Sequence, residues 1–277
     1  MREQQGRFNG AMGQSIFYRY WRPDGGARAL VVLVHGAGEH CSRYHAFASY
    51  LVDHGYAVAG MAHIGHGPSA GRGAHVDRFD QHLETLAVFR RQLAADFHGL
   101  SMLVLGHSMG GLIVASYLLD HPAHFAGCVL SAPLITTAIT PGPVQLALVR
   151  LLSAVTPTLG VLQLDASGVS RDPEQVRRYR EDPLVHHGRL SARLMTELFR
   201  YMGMIQSRAV ELTLPLLVLH GGADVMTSPQ GSQLLYEGAG SPDKTLKIYP
   251  QLYHEILNEP EKAEVYADIL TWLDGHT

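Results

Sequence analysis

The stretch Met102 to Leu119, MLVLGHSMGGLIVASYLL, leaves a chain little choice of fold. Met102 to Leu105 is an apolar run long enough for a buried strand and too short for a helix. It breaks at Gly106-His107-Ser108-Met109-Gly110-Gly111, after which Leu112, Ile113, Ala115, Ser116, Leu118 and Leu119 give a helix an apolar face. A serine on so sharp a strand-to-helix turn sits in strained backbone, and side chains two residues before and after it would strike neighbouring main chain, so glycine is needed at 106 and 110. The hydroxyl then projects from the sheet edge, where the new helix also aims its unpaired N–H groups and positive end. A chain with 29 glycines can hold G-x-S-x-G by chance, so the reading needs support from the rest of the sequence.

The flanking pattern supplies it. Ser15 to Trp21 alternates like an antiparallel strand, and Pro23-Asp24-Gly25-Gly26 makes a turn. Ala29 to Val34, Tyr56 to Met61, Phe125 to Leu130, Leu214 to Leu219 and Leu246 to Pro250 read as strands, the first of them apolar throughout and so covered on both faces. Tyr44 to His54, Phe79 to Phe97 and residues 260 to 273 read as helices. Strand and helix in alternation predict an α/β fold with a mostly parallel sheet and helices on both faces. Between Pro133 and Leu214 no strand is evident, which predicts a helical cap over 135–210 inserted into a core of 1–134 and 211–277.

At 277 residues with net charge −3 the chain has no basic footprint for nucleic acid. The opening MREQQGRFNG is polar, no apolar run reaches membrane-spanning length, and two cysteines make no disulfide framework; together these point to a reducing, cytoplasmic compartment. Cys41, in a loop, is expected to be open to thiol reagents, and Cys128 to be core. The seventeen histidines fit no metal-ligand spacing, and most are expected at the surface. No metal is expected.

Three segments carry chemistry. Ala29 to Val34 runs into His35-Gly36-Ala37-Gly38-Glu39-His40, the place from which an esterase sheet supplies an oxyanion-hole N–H. The candidates are the backbone N–H groups of Ala37 and Met109, each worth about 3 to 4 kcal/mol to the transition state. A dinucleotide reading of Gly36-Ala37-Gly38 fails because Cys41 takes the third glycine position, and Pro68 defeats the similar reading at Gly65. Asp224 and His254 each follow a strand, on the edge where Ser108 lies. His254 would take the serine proton and Asp224 would fix its tautomer; the order Ser, Asp, His is that of α/β-hydrolases.

On His35-Gly-Ala-Gly-Glu-His40, Arg43-Tyr44, Gly65-His-Gly67, Gly106-His-Ser-Met-Gly-Gly111, the cap segment Ser170 to Leu184, Gly222-Ala-Asp224 and Lys244 to His254, the chain resembles the monoacylglycerol lipase and lysophospholipase branch of the α/β-hydrolases. The resemblance implies a serine esterase without cofactor. It would hold a glycerol head in a polar pocket near Ala37, Glu39, Arg43, His107 and Tyr179, and an acyl chain in an apolar tunnel under the cap. Glu39 and Arg43 would alternatively pair with each other to shape the oxyanion loop. Two positions depart from the branch: Ala62 replaces an aspartate, which would loosen the loop before Gly65-His66-Gly67, and Leu257 stands where mammalian members have a histidine.

The substrate expected is thus a small lipid ester, with no nucleic-acid partner and with transient membrane contact through the cap helix, whose Leu146, Ala147, Leu148, Leu151, Leu152 and Val155 surround a narrower polar arc. The helix would equally serve by packing on the sheet domain. Lysophospholipase or broad carboxylesterase activity, an S33-type aminopeptidase, and a slow-turnover ligand receptor are the alternatives, and the oligomeric state is left open.

Overall fold

The computed structural model describes residues 1–139 and 141–277; Thr140, inside the expected cap, lies outside them. Eight strands form one twisted sheet in the order β1-β2-β4-β3-β5-β6-β9-β10. These are β1 (Arg2–Asn9), β2 (Ser15–Arg22), β3 (Ala29–Val34), β4 (Tyr56–Met61), β5 (Met102–His107), β6 (Gly127–Ser131), β9 (Leu216–Gly221) and β10 (Lys244–Tyr249). β1 and β2 form an antiparallel hairpin and β2 meets β4 antiparallel; every pairing from β4 to β10 is parallel.

Five inner strands, β3, β4, β5, β6 and β9, are buried at every residue, as their apolar runs require. Helices α2 (Asp80–Asp96) and α3 (Met109–Asp120) pack on one face. Helices α1 (His45–Asp53) and α8 (Lys262–Asp274) cover the other, where Trp21, Phe47, Tyr56, Ile269 and Leu273 belong to a second core. α7 (Pro229–Gly238) joins β9 to β10.

Residues between β6 and β9 form α4 (Pro143–Val155), β7 (Gly160–Gln163), α5 (Pro173–Glu181), β8 (Arg189–Ser191) and α6 (Ala192–Arg208). The expectation of no strand before Leu214 is corrected: β7 and β8 pair antiparallel in a small sheet of their own. They are short and half exposed, so neither carries the long apolar run by which buried strands are recognised. β1 was also missed, because a polar edge strand has no hydrophobic alternation to reveal it.

One further expectation is overturned. Cys41 is fully buried, beside Gly60, and burial pushes its thiol up to about 12, so it is shielded from reagents. Nine of the seventeen histidines are at least partly exposed, but eight, His35, His40, His63, His66, His82, His107, His220 and His254, are buried.

Candidate active site

Ser108 sits between β5 and α3 with φ 54° and ψ −121°, a backbone that L-residues rarely adopt. A Cβ at Gly110 would lie 2.0 Å from the Val34 carbonyl oxygen, and one at Gly106 would lie 2.6 Å from the Gly110 carbonyl oxygen. Helix α3 therefore begins in contact with the ends of β3 and β5. The Ser108 N–H donates to the Ser131 carbonyl at 3.0 Å, and its own carbonyl accepts from Leu134 N–H at 3.0 Å. Main chain on three sides fixes the nucleophile candidate.

The loops after β9 and β10 deliver the acid and base candidates to the same edge. Ser108 Oγ lies 2.9 Å from His254 Nε2, and His254 Nδ1 lies 2.7 Å from Asp224 Oδ2. Asp224 is held by four further contacts. Met226 and Thr227 N–H donate to Oδ1 at 2.7 and 3.1 Å; the Thr227 hydroxyl and His220 Nε2–H donate to Oδ2 at 2.9 and 3.1 Å. His220 in turn accepts from the Ser232 hydroxyl at 2.6 Å. Burial opposes the Asp224 charge, but His254 and His220 outweigh it and hold the carboxyl well below the usual carboxylate range. Burial likewise opposes charge on His254, and the Asp224 carboxylate overcomes it, raising His254 above its ordinary value.

Ala37 and Met109 flank Ser108, and among the described residues neither backbone N–H donates to a protein acceptor. The adjacent Gly36 N–H does: it binds Glu39 Oε1 at 2.7 Å, which also accepts from the Tyr44 hydroxyl at 2.6 Å. Glu39 Oε2 accepts from Arg43 at 2.8 Å. The rest of the Arg43 fork is spent on Glu255, at 2.6 and 2.8 Å, and the Arg43 guanidinium lies 4.7 Å from the centre of the Tyr179 ring, which covers it.

These side chains open onto a cavity. Its polar lining includes Glu39, His107, Tyr179, His254 and Glu255; Arg43 is not part of the wall. Its apolar lining includes Leu162 and Leu164 with Met195, Leu198, Phe199 and Met202 of α6. Burial and the nearby His254 charge lower His107 to about 4, so its ring is neutral at the cavity wall. Glu255, Thr227 and the α6 residues escaped the sequence reading. Glu255 merely adjoins His254, whereas Leu194, Leu198 and Ile205 on one side of α6 were open to periodicity analysis.

Ala62 does not loosen its loop: its N–H donates to the Phe17 carbonyl, its carbonyl accepts from the Ser69 hydroxyl, and Gly65 N–H binds the Ala70 carbonyl. Leu257 is buried in the α1–α8 core and takes no part in the cavity wall. Among the described residues no group of three or more histidine, cysteine, aspartate or glutamate side chains is placed to hold a metal ion.

A family profile described as serine aminopeptidase, S33 matches residues 25–261. The monoacylglycerol lipase of Mycolicibacterium smegmatis is 40% identical over 97% of this chain and 96% of its own length. The chain belongs to the S33 family of α/β-hydrolases. Within the family it is 35% identical to the monoglyceride lipase of Homo sapiens, covering 96% of this chain and 89% of that protein. The crystal structure of the Paleococcus ferrophilus monoacylglycerol lipase superposes with a TM-score of 0.84 at 32% identity, covering all of both chains.

Proposed function

We propose that this S33 member hydrolyses monoacylglycerols to fatty acid and glycerol through an acyl-enzyme on Ser108. The observation that carries the reading is the unbroken hydrogen-bonded line Ser108–His254–Asp224, opening on a cavity whose wall combines polar side chains with a larger apolar set. Ser108 Oγ attacks the ester carbonyl carbon as its proton passes to His254 Nε2. The carbonyl oxygen takes up the negative charge between the Ala37 and Met109 N–H groups. Collapse breaks the bond to glycerol, whose oxygen takes the proton from His254. Water then repeats the sequence on the acyl-serine, with His254 as base.

Two observations favour a neutral glycerol head. The cavity wall holds neither lysine nor arginine, so a lysophospholipid phosphate has no cation to meet. An aminopeptidase needs a carboxylate free to bind a substrate amine, and both Glu39 and Glu255 are already paired with Arg43.

The 135–210 segment serves in this reading as a cap. On α4 it is Ser153 that is buried, while Val144, Leu148, Leu151 and Val155 are 54 to 80% exposed. An apolar face turned to water suits transient contact with a membrane from which the substrate is drawn. No helix among the described residues is long and apolar enough to cross one.

The test is kcat/KM for a monoacylglycerol against the lysophospholipid of the same acyl chain, with Ser108→Ala as blank. A preference of about tenfold or more, about 1.4 kcal/mol of transition-state discrimination, is expected. Equal rates would mean a general acyl-ester hydrolase, and turnover surviving in Ser108→Ala would remove the nucleophile assignment.

A further inference from the structure

The residue after the candidate base is a buried carboxylate that the reaction as written does not use. Glu255 is 5% exposed, and it grips Arg43 through both its oxygens, at 2.6 and 2.8 Å. Asn258 donates to the same carboxylate at 2.8 Å, which leaves Glu255 no freedom to turn. Arg43 spans from the loop after β10 to the loop after β3, where it binds Glu39, and Glu39 holds the Gly36 N–H. Gly36 immediately precedes Ala37, so the chain of contacts runs from the base loop to the candidate oxyanion donor. Each link is charged or charge-assisted, and the arginine link is a two-pronged fork of fixed geometry.

We infer that Glu255 is a positioning residue: through Arg43 and Glu39 it sets the Ala37 N–H in register with His254, so that proton transfer and oxyanion stabilisation occur about one substrate geometry. The inference rests on the Ser108 hydrolase reading.

Among the described residues, Glu255–Arg43–Glu39 is the side-chain relay that joins the two loops. The Ala37 peptide has Gly36 on one side and Gly38, with φ 79°, on the other, so its direction depends on what holds its neighbours. Glu39 does so at Gly36, and the His186 N–H does so by binding the Gly38 carbonyl at 2.7 Å. Arg43 cannot be swung out to solvent, because Tyr179 lies over it. A small error in an oxyanion donor is costly, since a 1 Å misplacement can lower the rate about a hundredfold.

Glu255 also faces the base electrostatically. The charged and titratable groups around His254 are Asp224 on the β9 side, with His220 behind it, neutral His107 from the elbow, Glu39 and Arg43 from the β3 side, and Glu255 itself. Removing the Glu255 charge therefore makes protonated His254 less favourable, whereas a purely scaffolding carboxylate would leave its titration where it is.

The experiment is Glu255→Gln and Arg43→Lys, assayed on the same monoacylglycerol beside wild type and Ser108→Ala. In Glu255→Gln, kcat should fall about ten- to a hundredfold with KM within about twofold. Affinity for a trifluoromethyl ketone that mimics the tetrahedral intermediate should fall in step, and the acid limb of kcat/KM should move to lower pH. In Arg43→Lys, which keeps the charge and loses the fork, kcat should fall while the acid limb stays put. Wild-type kcat in both variants, or a fall in Glu255→Gln with neither the acid limb nor the ketone affinity moved, overturns the inference. Should Glu255→Gln fail to fold, Arg43→Lys decides alone: unchanged kcat and ketone affinity overturn it. Absence of turnover in wild type itself would instead overturn the hydrolase reading.

Discussion

One buried histidine, His254, and a cluster of four others behave in opposite ways in this molecule. His254 points one nitrogen at the Asp224 carboxylate and is raised above its ordinary value despite burial. His35, His63, His66 and His82 cluster under the oxyanion loop, with the His35 and His63 rings 4.1 Å apart and the His63 and His82 rings 5.1 Å apart. Among the described residues no carboxylate is bonded to any of the four. His35 Nδ1, His63 Nε2 and His66 Nδ1 each donate to a backbone carbonyl, and His35 Nε2 accepts the His63 N–H. Burial lowers all four, His63 to about 3 and His66 to about 4. Burial is common to both sets; a single carboxylate partner reverses its effect.

The strongest way to break the contrast is to remove that carboxylate. In Asp224→Asn, His254 joins the lowered set, and kcat should drop about 10⁴-fold, with the acid limb of the residual activity displaced to lower pH. A variant retaining a tenth of wild-type kcat would mean that Asp224 is not the partner that matters.

Acid unfolding should show the other set. Between pH 6.5 and about 4 the unfolded chain binds protons at these four positions and the native chain does not, so stability falls as pH falls, by about 3 kcal/mol by pH 4 for His66 alone. His254 has the opposite sign and a separate window. Its native proton stabilises the fold below pH 6.5, and this contribution is lost as pH rises through its raised pKa. Urea midpoints from pH 8 to pH 4 would measure both, and a flat profile from 6.5 to 4 would contradict the buried cluster.

A smaller change follows from the same raised pKa. Wild-type kcat/KM should lose activity on the acid side with an apparent pKa above 6.5, since in the proposed reaction only neutral His254 accepts the serine proton. A limb below pH 6 would place His254 with the lowered histidines.

The smallest effect belongs to His82, whose two ring nitrogens are buried without partners. Replacing it by leucine removes two unsatisfied groups, so stability at pH 7 should hold or rise by about 1 kcal/mol, and the slope below pH 6.5 should become shallower. A loss above about 2 kcal/mol with an unchanged slope would show that His82 contributes by its shape.

The contrast also marks what could be read from the chain. The elbow was legible because its glycines answer a local steric demand, visible in six consecutive letters. Asp224 and His254 were legible because each follows an apolar strand, so topology alone brought them to the edge beside Ser108. Burial of individual histidines was not, since a polar residue in a loop carries no periodicity, and only the folded loops around His63 and His66 enclose them. Glu255 failed for a related reason: its partner Arg43 is 212 positions away, and no spacing rule connects them. α7 was passed over because Gln230, Gln233, Tyr236 and Glu237 dilute its apolar face.

The sheet has two unpaired margins, β1 and β10, and both carry charge where another strand would have to dock: Arg2, Glu3 and Arg7 on one, Lys244 and Lys247 on the other. Charged edges resist strand addition. A sheet with so apolar an interior would gain by adding a further strand, and charged borders set a desolvation cost against it.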